Sequence, residues 1–226
     1  MTTLFVTGAG TDVGKTFVTL RLIKELGAAG FRVRALKPVA SGFDAANPAA
    51  TDTGALLRAQ DLEFSATNFD AVSPWRFAAP LSPDMAAARE GRTVPFDSLV
   101  AFCREPRAVD VTLIEGIGGV MVPLDEKHTV LDWLVALDAP TLLVVGSYLG
   151  TLSHSLTAAA ALRTRGARLA GVIVSESAAQ PVPVAETAMT LARFVQPTLV
   201  RVLPRDAPRD ATPLLPLVSH LLRSAH

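Results

Sequence analysis

Gly8-Ala9-Gly10-Thr11-Asp12-Val13-Gly14-Lys15-Thr16 decides how this chain is read. It follows a short apolar run, Leu4-Phe5-Val6, and opens a helical pattern from Phe17 to Leu26. In that pattern Val18, Leu22, Ile23 and Leu26 recur at helical spacing, and Gly30 is the expected stop. Strand, glycine-rich turn and helix together are the context of a phosphate-binding loop. Glycines let backbone N–H groups turn toward phosphate oxygens, and the helix N-terminus adds partial positive charge. Lys15 is placed to reach the β- and γ-phosphates, and the Thr16 hydroxyl to ligate Mg²⁺. Five residues separate Gly8 from Gly14, one more than the common spacing, so the loop is a variant.

Further apolar runs predict strands over Phe31–Leu36, Val109–Ile114, Thr141–Val145, Leu169–Val174 and Thr198–Leu203. Helical patterns lie near 129–137, 153–165, 184–194 and 213–223. Strands that are apolar on both faces and separated by helices predict a parallel sheet covered on both sides. The expected class is α/β, a mostly parallel central sheet flanked by helices, of the P-loop NTPase type. One domain is expected over residues 1–226. The stretch 42–106 differs, with Asn47-Pro48, Ser73-Pro74, Pro80 and Ser82-Pro83. It reads as an elaborated crossover with short helices, long enough to hold functional loops.

Composition narrows the function. Lys+Arg and Asp+Glu are 21 each, so bulk charge does not drive binding to nucleic acid. The single cysteine, Cys103, excludes an intramolecular disulfide framework and reads as a small buried hydrophobe. No apolar run reaches the ~18 residues of a membrane-spanning helix. The start, Met1-Thr2-Thr3-Leu4-Phe5-Val6-Thr7, lacks the basic region of a signal peptide. The expectation is a cytoplasmic protein without membrane or nucleic-acid partners.

Three more residues point at the phosphate loop. Glu115 ends a strand and precedes Gly116-Ile117-Gly118-Gly119. An acid at the carboxyl end of a central parallel strand faces the crevice where ligands bind, and can hold Mg²⁺. The alternative is a solvated acid beside an ordinary turn. Asp52, in Thr51-Asp52-Thr53-Gly54, is a second metal candidate or the N-cap of a short helix over 53–59. Lys37, in Leu36-Lys37-Pro38-Val39-Ala40-Ser41-Gly42, points into the same crevice or snorkels to the surface.

Together these segments resemble the dethiobiotin synthetase family. The family loop, roughly G-T-D-T-x-V-G-K-T, is matched by Gly8–Thr16, and its K-P-V-x-S-G element by Lys37–Gly42. Its acid before a short helix matches Asp52. A P-x-x-F-x-x-P-x-S-P stretch matches Pro74-Trp75-Arg76-Phe77-Ala78-Ala79-Pro80-Leu81-Ser82-Pro83. V-E-G-A-G-G is matched by Ile114-Glu115-Gly116-Ile117-Gly118-Gly119, and L-G-x-x-x-H by Leu149-Gly150-Thr151-Leu152-Ser153-His154. The likeness covers roughly residues 3–175. Departures are Ala9, Gly10 and Asp12 in the loop, Asp84 for a frequent His, Tyr148 for a frequent Lys, and Ser175 for the asparagine that reads adenine.

The resemblance implies ATP-dependent cyclisation of 7,8-diaminononanoate with CO₂ into the ureido ring of dethiobiotin. It assigns nucleotide binding to Gly10, Thr11, Asp12, Val13, Gly14, Lys15, Thr16, Phe17, Glu115 and Ser175. It assigns Mg²⁺ to Thr16, Asp52 and Glu115, and catalysis to Lys37, Lys15 and Thr11. Substrate contacts fall on Asp12, Lys37, Ser41, Gly118 and the turn Gly150, Thr151, Leu152 and Ser153. In the family that turn comes from the second subunit of a homodimer, so His154 is an interface or substrate residue unless it merely packs its helix. Ser175 carries one hydroxyl and cannot replace an amide's bidentate pairing, so nucleoside triphosphates other than ATP are expected to serve. The competing reading is a nucleotide switch of the partitioning or positioning type. Such proteins carry an early lysine in the loop, where this chain has Ala9-Gly10-Thr11.

Overall fold

The computed structural model describes residues 2–205 and 212–222. Its main sheet has six strands: β1 (Thr2–Gly8), β2 (Val33–Leu36), β5 (Val111–Glu115), β6 (Thr141–Val145), β7 (Leu169–Ser175) and β8 (Val200–Leu203). They lie in the order β2-β5-β1-β6-β7-β8, and every pairing is parallel. The expected strands are all present. Three start two residues later than their apolar runs, at Val33, Val111 and Val200. The expected helices are α1 (Lys15–Ala28), α6 (Val130–Leu137), α7 (Thr151–Thr164), α8 (Val184–Phe194) and α9 (Leu215–Leu222). Residue 223, the expected end of the last one, lies outside the described residues.

Alternation along the central strands builds a core on each face. Leu4 and Val6 of β1, with Leu142 and Val144 of β6, face Val18, Leu22 and Leu26 of α1. Phe5, Leu143 and Val145 face the other way, onto Trp133, Leu134 and Leu162. Phe5 meets Trp133 edge-to-face at 4.8 Å between ring centres. Burying such side chains stabilises by roughly 1.5–3 kcal/mol each. The backbone of β1 is thus fixed from both sides up to the residue where the phosphate loop begins.

The crossover between β2 and β5 holds a 3₁₀ turn at Pro48–Ala50 and the helices α2 (Asp52–Ala59), α3 (Ala66–Val72), α4 (Pro83–Arg89) and α5 (Phe96–Arg104). It also holds a parallel strand pair that the periodicity does not reveal, β3 (Val39–Ser41) and β4 (Trp75–Phe77). Each has three residues, too few for a period-2 signal. The pair is extended by Gly42 N–H to the Ala79 carbonyl, 3.1 Å, which brings Pro80–Pro83 beside Ser41. The N-cap of α2 is Thr51, whose hydroxyl accepts from Gly54 N–H at 3.1 Å, so Asp52 is free of that role. Gly54 lies so close to the 3₁₀ turn that a Cβ there would sit 2.2 Å from the Pro48 carbonyl oxygen. That approach sets where Asp52 stands.

Among the described residues, no helix is long and apolar enough to cross a membrane. Cys103 is buried in the core, and burial pushes its thiol up to about 12, which leaves it inert.

Candidate active site

Sheet register assembles the centre of the site. Val6 of β1 pairs with Glu115 of β5, and Leu36 of β2 with Ile114. Lys37 and Glu115 therefore emerge side by side at the carboxyl ends of neighbouring strands, beside the phosphate loop. This is where parallel sheets of reversing strand order bind ligands.

The loop turns through left-handed backbone at Asp12 (φ 56°) and Gly14 (φ 93°). Gly14 is obligatory twice over: a Cβ there would fall 2.5 Å from Ser175 Oγ. Lys15 Nζ donates to the Gly10 carbonyl at 2.8 Å, closing the loop on itself. Burial and the nearby Lys37 push the Lys15 ammonium down to about 8, against the pull of Glu115, Asp52 and Asp12. An incoming polyphosphate would offset the repulsion from Lys37, because it brings further negative charge beside the Lys15 ammonium.

Glu115 is fully buried. Its Oε1 accepts from Thr16 Oγ1 at 2.7 Å and from Lys37 Nζ at 2.6 Å. Lys37 Nζ also lies 3.3 Å from Asp52 Oδ2. Lys37 is buried, so the snorkelling alternative is excluded. Burial alone would lower its pKa, but Glu115 and Asp52 outweigh that and raise it above the ordinary lysine value. Glu115 is equally no solvated loop acid. Its second oxygen, Oε2, is buried without a hydrogen-bond partner, as is Ser41 Oγ. An orphaned carboxylate oxygen beside a threonine hydroxyl and a second carboxylate is an oxygen donor set of the kind a hard divalent cation takes.

A cleft of about 880 Å³ joins these groups. Its walls include Thr11, Asp12, Gly14, Lys15, Thr16, Phe17, Lys37, Ser41, Asp52, Glu115 and Gly118. Most of the residues expected at the site thus meet in one cavity. A neighbouring cavity of about 520 Å³ is walled by Val13 and Gly14 on one side and by Ser175, Glu176, Ser177, Ala178 and Arg205 on the other. Gly10 lines neither and contributes its carbonyl to Lys15. The turn from Gly150 to Ser153 opens α7 but lines neither cavity. His154 is exposed and does not pack its helix; its Nδ1 lies 2.9 Å from the Tyr148 hydroxyl. The expected site residues do not include Gly42, Pro80, Leu81, Ser82, Pro83, Ile117 and Val122 of the first cavity or Glu176, Ser177, Ala178 and Arg205 of the second. Gly42, Pro80-Leu81-Ser82-Pro83 and Ile117 lie within matched motifs, which was the signal for them.

A family profile described as an AAA domain matches residues 2–211. An ATP-dependent dethiobiotin synthetase of Acidiphilium cryptum is 48% identical, covering 92% of this chain and 95% of that protein. One of Methylobacterium nodulans is 51% identical, over 90% and 92%, and one of Caulobacter vibrioides 45%, over 96% and 99%. The septum site-determining protein MinD of Pyrococcus horikoshii, solved with Mg-ADP, superposes with a TM-score of 0.55 over 91% of this chain and 82% of its own, at 16% identity. The cell division protein FtsY of Thermotoga maritima gives 0.50 over 100% and 69%, at 17%. These two share the fold alone, and the switch-ATPase reading draws no support from so low an identity. Identity near one half across nine-tenths of the sequence decides between the readings: the chain belongs to the ATP-dependent dethiobiotin synthetases.

Proposed function

We propose that the larger cleft closes the ureido ring of dethiobiotin, with the carboxylate of Glu115 organising the residues that do it. The observation that carries this reading is the convergence of Thr16 and Lys37 on one buried oxygen of Glu115, at the mouth of the phosphate loop. One amine of 7,8-diaminononanoate adds to CO₂ and, on losing a proton, becomes a carbamate. A carbamate oxygen attacks the γ-phosphorus of ATP, ADP leaves, and a carbamic–phosphoric anhydride forms. The second amine attacks the carbonyl carbon, phosphate departs, and the ring closes.

The chain's residues fit the charge that these steps develop. Lys15 and the loop N–H groups hold the β- and γ-phosphates. Lys37 faces them across the cleft and stabilises the carbamate and the phosphoryl group in transfer. Thr16, Asp52 and Glu115 would hold Mg²⁺, which when bound would neutralise phosphate charge. Thr11, Asp12, Ser41 and Gly118 line the diamine side. Most of the barrier reduction comes from positioning and fixed charge, since phosphoryl transfer needs in-line geometry more than covalent help.

The Gly150–Ser153 turn lines neither of the two cavities beside the phosphate loop, and Leu149 beside it is 84% exposed. Both facts support a homodimer in which the α7 N-terminus serves the partner's substrate. In the smaller cavity, Ser175 offers a single hydroxyl where an amide would offer a donor and an acceptor, which supports weak base discrimination there.

Three outcomes test this reading. Purified protein given ATP, Mg²⁺, bicarbonate and the diamine forms dethiobiotin, detected by mass, and Lys37→Ala lowers kcat about a hundredfold, near 3 kcal/mol, while ATP binding changes little. Near-normal turnover of that variant refutes the role of Lys37. Measured at fixed Mg²⁺, kcat/KM for CTP, GTP and UTP falls within about tenfold of ATP; a preference for ATP above about a hundredfold refutes the assignment to Ser175. Mixing Lys37→Ala protein with a Gly150→Trp variant restores partial activity through one intact composite site per mixed dimer, and confirmed mixed dimers without recovery contradict shared sites.

A further inference from the structure

The loops after β6 and β7 are joined by a reciprocal pair of serines. Ser147 N–H donates to Ser177 Oγ at 2.9 Å, and Ser177 N–H donates to Ser147 Oγ at 2.9 Å. The Ser147 hydroxyl in turn donates to Gln180 Oε1 at 2.8 Å. Ser147 is fully buried, and it lines neither cavity. It is held from behind, because Thr151 Oγ1, in the first turn of α7, donates to the Gly146 carbonyl at 2.8 Å. Ser177 is part of the wall of the smaller cavity.

The other end of the same wall is tied down as well. Glu176 N–H donates to the Leu203 carbonyl at 3.0 Å, and Arg205 N–H donates to Glu176 Oε2 at 3.0 Å. Gln180 Nε2 donates to Glu176 Oε1 at 2.5 Å, so the two ties share one network. The smaller cavity continues from Val13, Gly14 and Phe17 at the start of α1, so it lies where a nucleotide's base and ribose extend from phosphates in the loop. Ser175 reaches back toward Gly14. The shape of the nucleoside space is therefore set by where the 175–178 loop stands.

We infer that Ser147 and Ser177 form a clasp that positions the 175–178 loop as the wall against the nucleoside half of the nucleotide. Both are positioning residues, and the inference rests on the nucleotide reading of the cleft. The two hydroxyls satisfy two backbone N–H groups at once. Removing either hydroxyl leaves an N–H without its acceptor, and the loop must move to find another. The phosphates, held by the glycine loop and Lys15, do not feel that movement.

This separation defines the test. Binding of ATP and of inorganic tripolyphosphate, each with Mg²⁺, is measured by calorimetry for the wild type and for Ser177→Ala. The alanine variant binds ATP about tenfold more weakly and tripolyphosphate within about twofold of wild type. Its KM for ATP rises and its kcat at saturation holds. Ser177→Thr, which keeps the hydroxyl, binds ATP within about threefold of wild type. Equal losses for both probes, unchanged ATP binding, or a threonine variant as weak as the alanine one overturns the clasp. A wild type that binds neither probe overturns the nucleotide reading itself, and the clasp with it. If Ser177→Ala does not fold, Ser147→Ala, which removes the other hydroxyl of the pair, carries the comparison: a loss confined to ATP supports the clasp, and no loss overturns it.

Discussion

A carboxylate with no exposure to water governs this site. Glu115 is fully buried, and an ionised acid there is tolerable only with a cation and a hydrogen bond against it. Lys37 supplies the first and Thr16 the second, both on Oε1. The arrangement links three elements, β5, the segment after β2, and the first turn of α1. A shift of any of the three would leave the buried carboxylate without its cation or without its hydrogen bond. The same contact places a lysine opposite the phosphate loop before any nucleotide arrives.

The sheet makes that contact inexpensive. Register on β1 and β2 sets Glu115 and Lys37 at adjacent strand ends, and the two apolar layers hold the register. A one-residue slip of β5 would turn Glu115 to the opposite face of the sheet. The placement of Glu115 and Lys37 is inherited from core packing: Leu4, Phe5 and Val6 fix the strand that leads into the glycine loop.

Much of this was legible in the sequence because it rests on local patterns. Apolar runs gave the strands, and Gly14-Lys15-Thr16 after a strand gave the phosphate loop. Glu115 and Lys37 were readable as polar residues that end apolar runs. The competing roles for Asp52 could be decided only with Thr51 seen as the cap. Features that join distant segments through short stretches stayed hidden. The β3–β4 pair has three residues a side, and the Ser147–Ser177 clasp links two small polar residues 30 apart, a spacing no periodicity marks. The α7 turn was legible as a helix start, yet its absence from the two cavities beside the phosphate loop is a matter of tertiary placement alone.

Lys37 and Glu115 act as one buried unit. A double-mutant cycle on the nucleotide-free protein, Lys37→Met and Glu115→Gln singly and together, measures it by denaturant unfolding. Each single change removes one partner of a buried pair and should cost about 3 kcal/mol. The double variant should be more stable than the sum of the two losses allows, by about 1.5 kcal/mol or more, since the second change removes the charge that the first had stranded. Losses that simply add would contradict the account, because the two groups would then be neighbours without being coupled.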